Sequence, residues 1–181
     1  MPSLTQDTLL ELKDDFSNYP MFIETGTLTG QTIFEMEPLF RTLYTIELSE
    51  QYYLNTSAEY TGDKIIFLHG DSTKQLVELC PYINDKVIFF LDAHWSSGDT
   101  AQGDVDVPLL SEIQTINDLF DHDAIIIIDD FRLFETYIYE DWSNIVKSSI
   151  EKILGERISK SYHLPSSLSP DDRYVIHINA K

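Results

Sequence analysis

Two periods alternate along this chain. Short runs in which nearly every side chain is apolar, such as Val87 to Leu91 and Ala124 to Ile128, have the length of strands covered on both faces. Between them, apolar residues recur every three or four positions, the spacing of amphipathic helices. Strands are predicted at Met21 to Glu24, Leu43 to Glu47, Lys64 to His69, Lys86 to Asp92 and Ala124 to Asp129. Helices are predicted from Gln31 to Phe40, Ser49 towards Tyr60, Thr73 to Cys80, Val107 to Phe120 and Tyr139 to Leu154. Arg157 to His163 and Arg173 to Ile178 alternate in character with no helix between them, so they should pair antiparallel. Leu9, Leu10, Leu12 and Phe16 suggest a short amphipathic helix between Leu4 and Phe16, a cap within residues 1–20. Strand and helix alternation of this kind defines an α/β chain with seven strands.

Length adds little to that picture: 181 residues suit one domain spanning residues 1–181. Charge changes it more. Acidic residues number 31 against 12 lysines and arginines, a formal charge of −19. Such a surface repels phosphate backbones and anionic lipid, so nucleic-acid and membrane partners are disfavoured and a neutral small-molecule or glycan partner fits better. The longest apolar runs reach only about a quarter of a membrane span. The acids Asp7, Glu11, Asp14 and Asp15 rule out a secretory leader in the first residues, and the lone Cys80 excludes an internal disulfide. A reducing, cytoplasmic setting is the expectation.

Candidate chemistry sits where strands end. Phe22-Ile23-Glu24-Thr25-Gly26-Thr27-Leu28-Thr29-Gly30 runs from a strand through a glycine turn into a helix. The spacing departs from the dinucleotide fingerprint, and Glu24 would repel a pyrophosphate. An acid there can hold an amino group or a cationic ligand instead, which is what S-adenosylmethionine presents. The bland alternative is a plain turn in which glycine only relieves crowding. Glu47, at the tip of the second strand, is placed to accept both hydroxyl protons of a ribose, or else to favour the start of the next helix. Gly70, Asp71 and Ser72 close the third strand; Asp71 can accept from an exocyclic amine, and Ser72 can cap the helix that follows.

These exits, with Asp92 after the fourth strand and the closing hairpin, resemble the class I S-adenosylmethionine-dependent methyltransferases. Phe-Ile-Glu-Thr-Gly-Thr, Leu-Asp-Ala-His and Ile-Asp-Asp are similar to the sugar and macrocin-type O-methyltransferases. The resemblance implies a Rossmann-like three-layer sandwich with a mostly parallel seven-stranded sheet, order 3-2-1-4-5-7-6, last strand antiparallel. It also implies that Glu24, Gly26, Thr27 and Gly30 line the methionine end of S-adenosylmethionine and that Glu47 holds the ribose. Gly70, Asp71 and Ser72 would border the adenine, and Asp92 would lie under the sulfonium. Leu28 stands where the commoner pattern has a further glycine, so a looser turn is expected.

Methyl transfer to oxygen needs an aligned hydroxyl and a way to remove its proton. Asp92 and His94 are the candidate bases. A divalent cation, Mg²⁺ or Mn²⁺, could lower the hydroxyl pKa instead if Asp92, Asp129 and Asp130 meet at adjacent strand ends, where His94 could be a further ligand. The competing reading is that Asp129 caps a turn, Asp130 is solvated and His94 packs on Trp95. Arg132 could orient a substrate or neutralise Asp130. The short amino-terminal cap predicts an open acceptor groove. A non-catalytic cofactor-binding module and a metal-dependent hydrolase using the three aspartates are the competing functions.

Overall fold

The computed structural model describes residues 3–92, 107–137 and 142–181. Seven strands form one sheet: β1 (Met21–Thr25), β2 (Thr42–Glu47), β3 (Ile65–His69), β4 (Val87–Leu91), β5 (Ala124–Ile128), β6 (Ile158–Leu164) and β7 (Arg173–Ile178). Their order is β3-β2-β1-β4-β5-β7-β6. The first five run parallel, and β7 lies antiparallel between β5 and β6. Every residue of β1, β4, β5 and β7 is buried, and β4 and β5, covered on both faces, read as unbroken apolar runs. β3 and β6 form the edges, both part-exposed, and β6 carries a polar alternation.

Helices cover both faces. α4 (Ser72–Leu79), α5 (Leu109–Leu119) and α6 (Lys147–Leu154) pack Leu76, Ile113, Ile116 and Ile150 onto Ile23, Phe89, Ile126 and Ile176. On the other face, α2 (Gln31–Met36) contributes Ile33 and Met36 against Phe22, Phe90 and Ile127. α3 (Glu50–Glu59) flanks β2 and β3 with Thr56 buried. Near β4, β5 and β7 this face is closed by the amino-terminal segment, whose Leu4, Leu9 and Leu12 join the same cluster.

The predicted helix from Leu4 to Phe16 is shorter than expected. Only α1 (Gln6–Leu10) is α-helical, started by Thr5 accepting from the Thr8 N–H, and a 3-10 turn follows at Phe16–Asn18. The chain between them is pinned to β6 and β7. Asp14 meets His177 Nδ1 at 2.9 Å and Lys160 Nζ at 2.9 Å, while the Tyr162 hydroxyl accepts from the Lys13 N–H at 2.9 Å. A carboxylate only accepts, so His177 donates through Nδ1 and takes the Tyr162 hydroxyl proton at Nε2, 3.0 Å away. These long-range contacts won over helical propensity.

A second difference lies before β6. The helix expected from Tyr139 begins only at Lys147, with Trp142 and Ile145 buried ahead of it; residues 138–141 lie outside the described set. Pro38 ends α2 early, and a 3-10 turn follows at Glu37–Leu39. No helix among the described residues is long and apolar enough to cross a membrane.

Candidate active site

Strand order reverses between β1 and β4, and in an open α/β sheet the crevice at that point receives ligands. The β1 exit enters it through a tight turn. Gly26 has φ +86° and donates to Ile46 O at 3.0 Å, and Gly30 has φ +73° and donates to Thr27 O at 2.8 Å. Leu28 does not loosen this turn as its side chain led us to expect. Its φ is +47°, the left-handed conformation a glycine would take, held by Thr56 Oγ1 donating to Leu28 O at 2.8 Å. Gly30 serves packing: an added Cβ would lie 2.5 Å from Thr56 Cγ2 and 2.8 Å from a Phe34 ring carbon.

Two acids flank the turn. Glu24 is 2% exposed, and its Oε2 accepts from the Thr45 hydroxyl at 2.6 Å, which is itself 2.6 Å from the Thr27 hydroxyl. Burial pushes the Glu24 carboxyl up to about 8, opposed by the Thr45 hydrogen bond and reinforced by the Glu47 charge. Glu47 accepts the Leu28 N–H at 2.7 Å through Oε2 and the Ser49 N–H at 2.8 Å through Oε1. It therefore ties the β1 turn to the start of α3. A carboxylate has about four acceptor positions, so each Glu47 oxygen can still take a ligand hydroxyl.

At the β3 exit the roles differ from those expected. Gly70 has φ +141°, and α4 begins at Ser72, so Asp71 is the cap: its Oδ1 accepts from the Thr73 N–H at 2.9 Å and the Thr73 hydroxyl at 2.7 Å, and Lys74 lies 3.4 Å from Oδ2. Burial opposes these contacts, yet together they leave its pKa below the ordinary value. Ser72 is buried and turned inward, beside Glu112 of α5. Glu112 was not singled out in the sequence, where it reads as an ordinary acid in a first helical turn. Yet it is 1% exposed, and burial pushes it up to about 7, opposed by the Ser72 and Thr25 hydroxyls. Among the described residues, Glu112 Oε1 and Thr25 Oγ1 nevertheless find no partner in good hydrogen-bond geometry.

The β4 and β5 exits stand side by side because Leu91 pairs with Ile128. Asp92 is held well above the ordinary carboxylate range by burial first, then by the charges of Asp129, Asp130 and Glu24. Burial also pushes Asp129 up to about 7, against the pull of Arg173. Asp130 follows in the left-handed conformation, φ +58°, a strained state for a non-glycine residue.

The expected metal set is altered. Ligand atoms of Asp129, Asp130 and Asp172 all lie within 4.8 Å of one another; among the described residues Asp92 is not in that group. Asp172 was missed because it precedes β7 and is remote in sequence. Arg132 pairs with Asp130 and reaches Asp172 at 2.6 Å, so Asp130 is neutralised rather than merely solvated. Arg173, also missed, is ion-paired to Asp129 with Nε 3.5 Å from Oδ1, and among the described residues neither atom has a further hydrogen-bond partner. His94 and Trp95 lie outside the described residues.

The amino-terminal segment enters this site. The Ser3 N–H donates to Thr32 Oγ1 at 3.0 Å, and the Ser3 carbonyl accepts from Arg173. Ser3 is thereby held between α2 and β7, and residues 93–106, the loop expected to border the acceptor groove, lie outside the described residues.

The sequence matches no protein-family model and no curated protein. Solved structures do match the fold. Human methyltransferase-like protein 13, in complex with SAH, superposes with a TM-score of 0.59 at 12% identity, covering 99% of this chain and 77% of that one. Magnesium protoporphyrin IX methyltransferase from Synechocystis PCC 6803, with bound SAM, gives 0.55 at 15% identity, covering 91% and 72%. The mitomycin 7-O-methyltransferase MmcR gives 0.53 at 14% identity, covering 93% of this chain and 51% of that one. The fold is the Rossmann-like fold of S-adenosylmethionine-dependent methyltransferases. At such identities the likeness establishes architecture, and the reaction has to be argued from the site.

Proposed function

We propose that this chain is an S-adenosylmethionine-dependent O-methyltransferase acting on a hydroxyl of a sugar, glycan or other small molecule. One observation carries the reading: the acids Glu24, Glu47 and Asp92 stand at the exits of adjacent strands, around the crevice where the strand order reverses. Buried acids raised in pKa favour a ligand that brings positive charge, as a sulfonium with an amino group does. S-adenosylmethionine supplies the methyl carbon, which bonds to the acceptor oxygen as its bond to sulfur breaks and the electron pair stays on sulfur.

The residues have distinct tasks. Glu24, steadied by Thr45, faces the amino group; Gly26 and Thr27 supply the turn beside it, and Glu47 takes the ribose hydroxyls. Asp92 receives the acceptor's proton, and its raised pKa suits a base that must hold it. Asp71, already engaged as a cap, borders the adenine through its backbone and remaining acceptor capacity. The surface charge favours a neutral acceptor over nucleic acid or a membrane.

A divalent cation is a second reading, favoured by Asp129 Oδ1, which accepts no hydrogen bond among the described residues, within the group formed with Asp130 and Asp172. The fit is poor as that group stands, because Arg132 and Arg173 already supply positive charge to it.

Calorimetric titration with S-adenosylhomocysteine, paired with a methyl-donor assay over a sugar and glycan panel, tests the proposal. Micromolar binding by wild type, retained in Asp92→Asn while transfer falls at least a hundredfold, is the expected result. Binding of NAD(P) in place of S-adenosylhomocysteine rejects it. Full turnover in excess chelator rejects the metal.

A further inference from the structure

β3 is the edge strand beyond β2, and two backbone bonds fix which way its peptide groups face. The Leu43 N–H donates to Lys64 O at 2.9 Å, and the Gly70 N–H donates to Glu47 O at 2.9 Å. In the parallel register that sets Leu43 beside Ile65 and Glu47 beside His69, the β3 residues bonded to β2 are therefore Ile66 and Leu68. Ile65, Phe67 and His69 turn their N–H and C=O groups away from the sheet. Two of these six groups are met by the chain's own side chains: the Ile65 N–H lies 3.3 Å from the Tyr60 hydroxyl, and His69 O accepts from Gln75 Nε2 at 3.2 Å. The other four are open among the described residues: Ile65 O, the Phe67 N–H, Phe67 O and the His69 N–H.

We infer that this edge pairs with the same edge of a second copy of this chain, antiparallel about a two-fold axis at Phe67. The pattern of open groups selects that occupant. Rotation about Phe67 sets the Phe67 N–H of each copy against Phe67 O of the other, and each His69 N–H against Ile65 O of the other. Those four bonds use every open group once. The two groups already engaged, the Ile65 N–H and His69 O, fall opposite one another, so capped meets capped. A foreign peptide would leave an open group of its own facing each of them, at the cost of an unmade hydrogen bond.

Side chains agree with the backbone. Alternation puts Ile66 on the same face as Leu68, and the two-fold sets Ile66, 40% exposed, opposite Leu68 of the other copy. No charged residue or proline interrupts Ile65 to His69, the devices that usually protect an edge. The other edge is blunted: β6 carries Lys160 and a register shift between Ile158 and Lys160. Pairing through β3 therefore closes at two copies, and its antiparallel sense puts the two candidate sites at opposite ends of the joined sheet.

Three measurements on the full chain test this. Sedimentation equilibrium should show a dimer with a dissociation constant on the order of 100 µM, as suits a small interface. Amide exchange read by NMR should show Phe67 and His69 exchanging fast at about 20 µM and about fivefold more slowly at about 1 mM, while Ile66 and Leu68 are slow at both. Ile66→Lys should be monomeric at about 1 mM, with thermal unfolding within about 3 °C of wild type. If that variant does not fold, the wild-type exchange pattern decides alone. A wild type that stays monomeric at this concentration, a dimer whose Phe67 and His69 exchange ignores concentration, or a folded Ile66→Lys that still dimerises overturns the inference.

Discussion

The Thr45 hydroxyl lies 2.6 Å from Glu24 Oε2, linking the middle of β2 to the last acid of β1 beneath the glycine turn. That contact opposes, without cancelling, the burial that pushes Glu24 up to about 8. The carboxyl is thus held ready to ionise when a cation arrives.

Stability should fall as pH rises. Glu24 has a folded value of about 8 against an ordinary 4.5, so its stabilising contribution is fully present below about 4.5 and is lost as pH climbs through about 8. Glu112 and Asp129, both near 7, act in the same direction. Urea unfolding of the ligand-free protein should show a loss between pH 5 and pH 8.5 to which Glu24 alone contributes on the order of 4 kcal/mol. Glu24→Gln should flatten much of that slope; an unchanged slope removes Glu24 as its source.

Binding of S-adenosylhomocysteine should release protons near pH 7. If its amino group meets Glu24, the carboxyl ionises on binding, so titrations in buffers of different ionisation enthalpy should report roughly half a proton or more released. Glu24→Gln should abolish that release and weaken binding about tenfold or more, by the usual worth of a charge-assisted hydrogen bond.

Glu47 is a structural tie as well as a ligand group. Alanine there leaves the Leu28 and Ser49 N–H groups without their acceptors. Glu47→Ala should cost about 2 kcal/mol of stability in addition to weakening S-adenosylhomocysteine binding. Glu47→Gln, which keeps one carbonyl oxygen, should recover about half of the stability loss in the same urea experiment.

Leu28→Gly should stabilise the protein. The leucine is 43% exposed and holds φ at +47°, so little burial is lost and left-handed strain of about 1 kcal/mol is relieved. Thermal unfolding should rise by a few degrees. A fall shows that the exposed leucine makes a contribution larger than its strain.

Tyr162→Phe should loosen the amino-terminal segment from its far end. The change strands the Lys13 N–H and His177 Nε2, at a cost of about 1–2 kcal/mol. Limited proteolysis should cut faster between residues 10 and 16, while an unaltered digestion pattern shows that Asp14 alone suffices to hold the segment.

Strand positions were legible because the central strands are covered on both faces, and burial leaves an unmistakable apolar run. Glu24, Glu47 and Asp92 were legible for a related reason: an acid at the end of such a run stands at the sheet's carboxyl edge whatever the helices do. Asp71 stands at the strand exit where the sequence put it, and its carboxylate also caps the next helix, since a short acid at a helix start satisfies its own backbone first. Glu112, Asp172 and Arg173 carried no local signal. Each is a polar residue in an ordinary context, and burial by other elements gave it its character.

The order of hydrophobic runs and turns thus determined, without any coordinates, the α/β class, the seven strands and the row of acids at their ends, because those features follow from period and burial along the chain. Tertiary packing alone decided that Leu28 takes a glycine's conformation, that Arg132 and Arg173 compensate the β5 acids, and that the Ser3 carbonyl meets Arg173. Such contacts join residues up to 170 positions apart. Their energies depend on distance and desolvation in space, for which neighbouring residues in sequence hold no record.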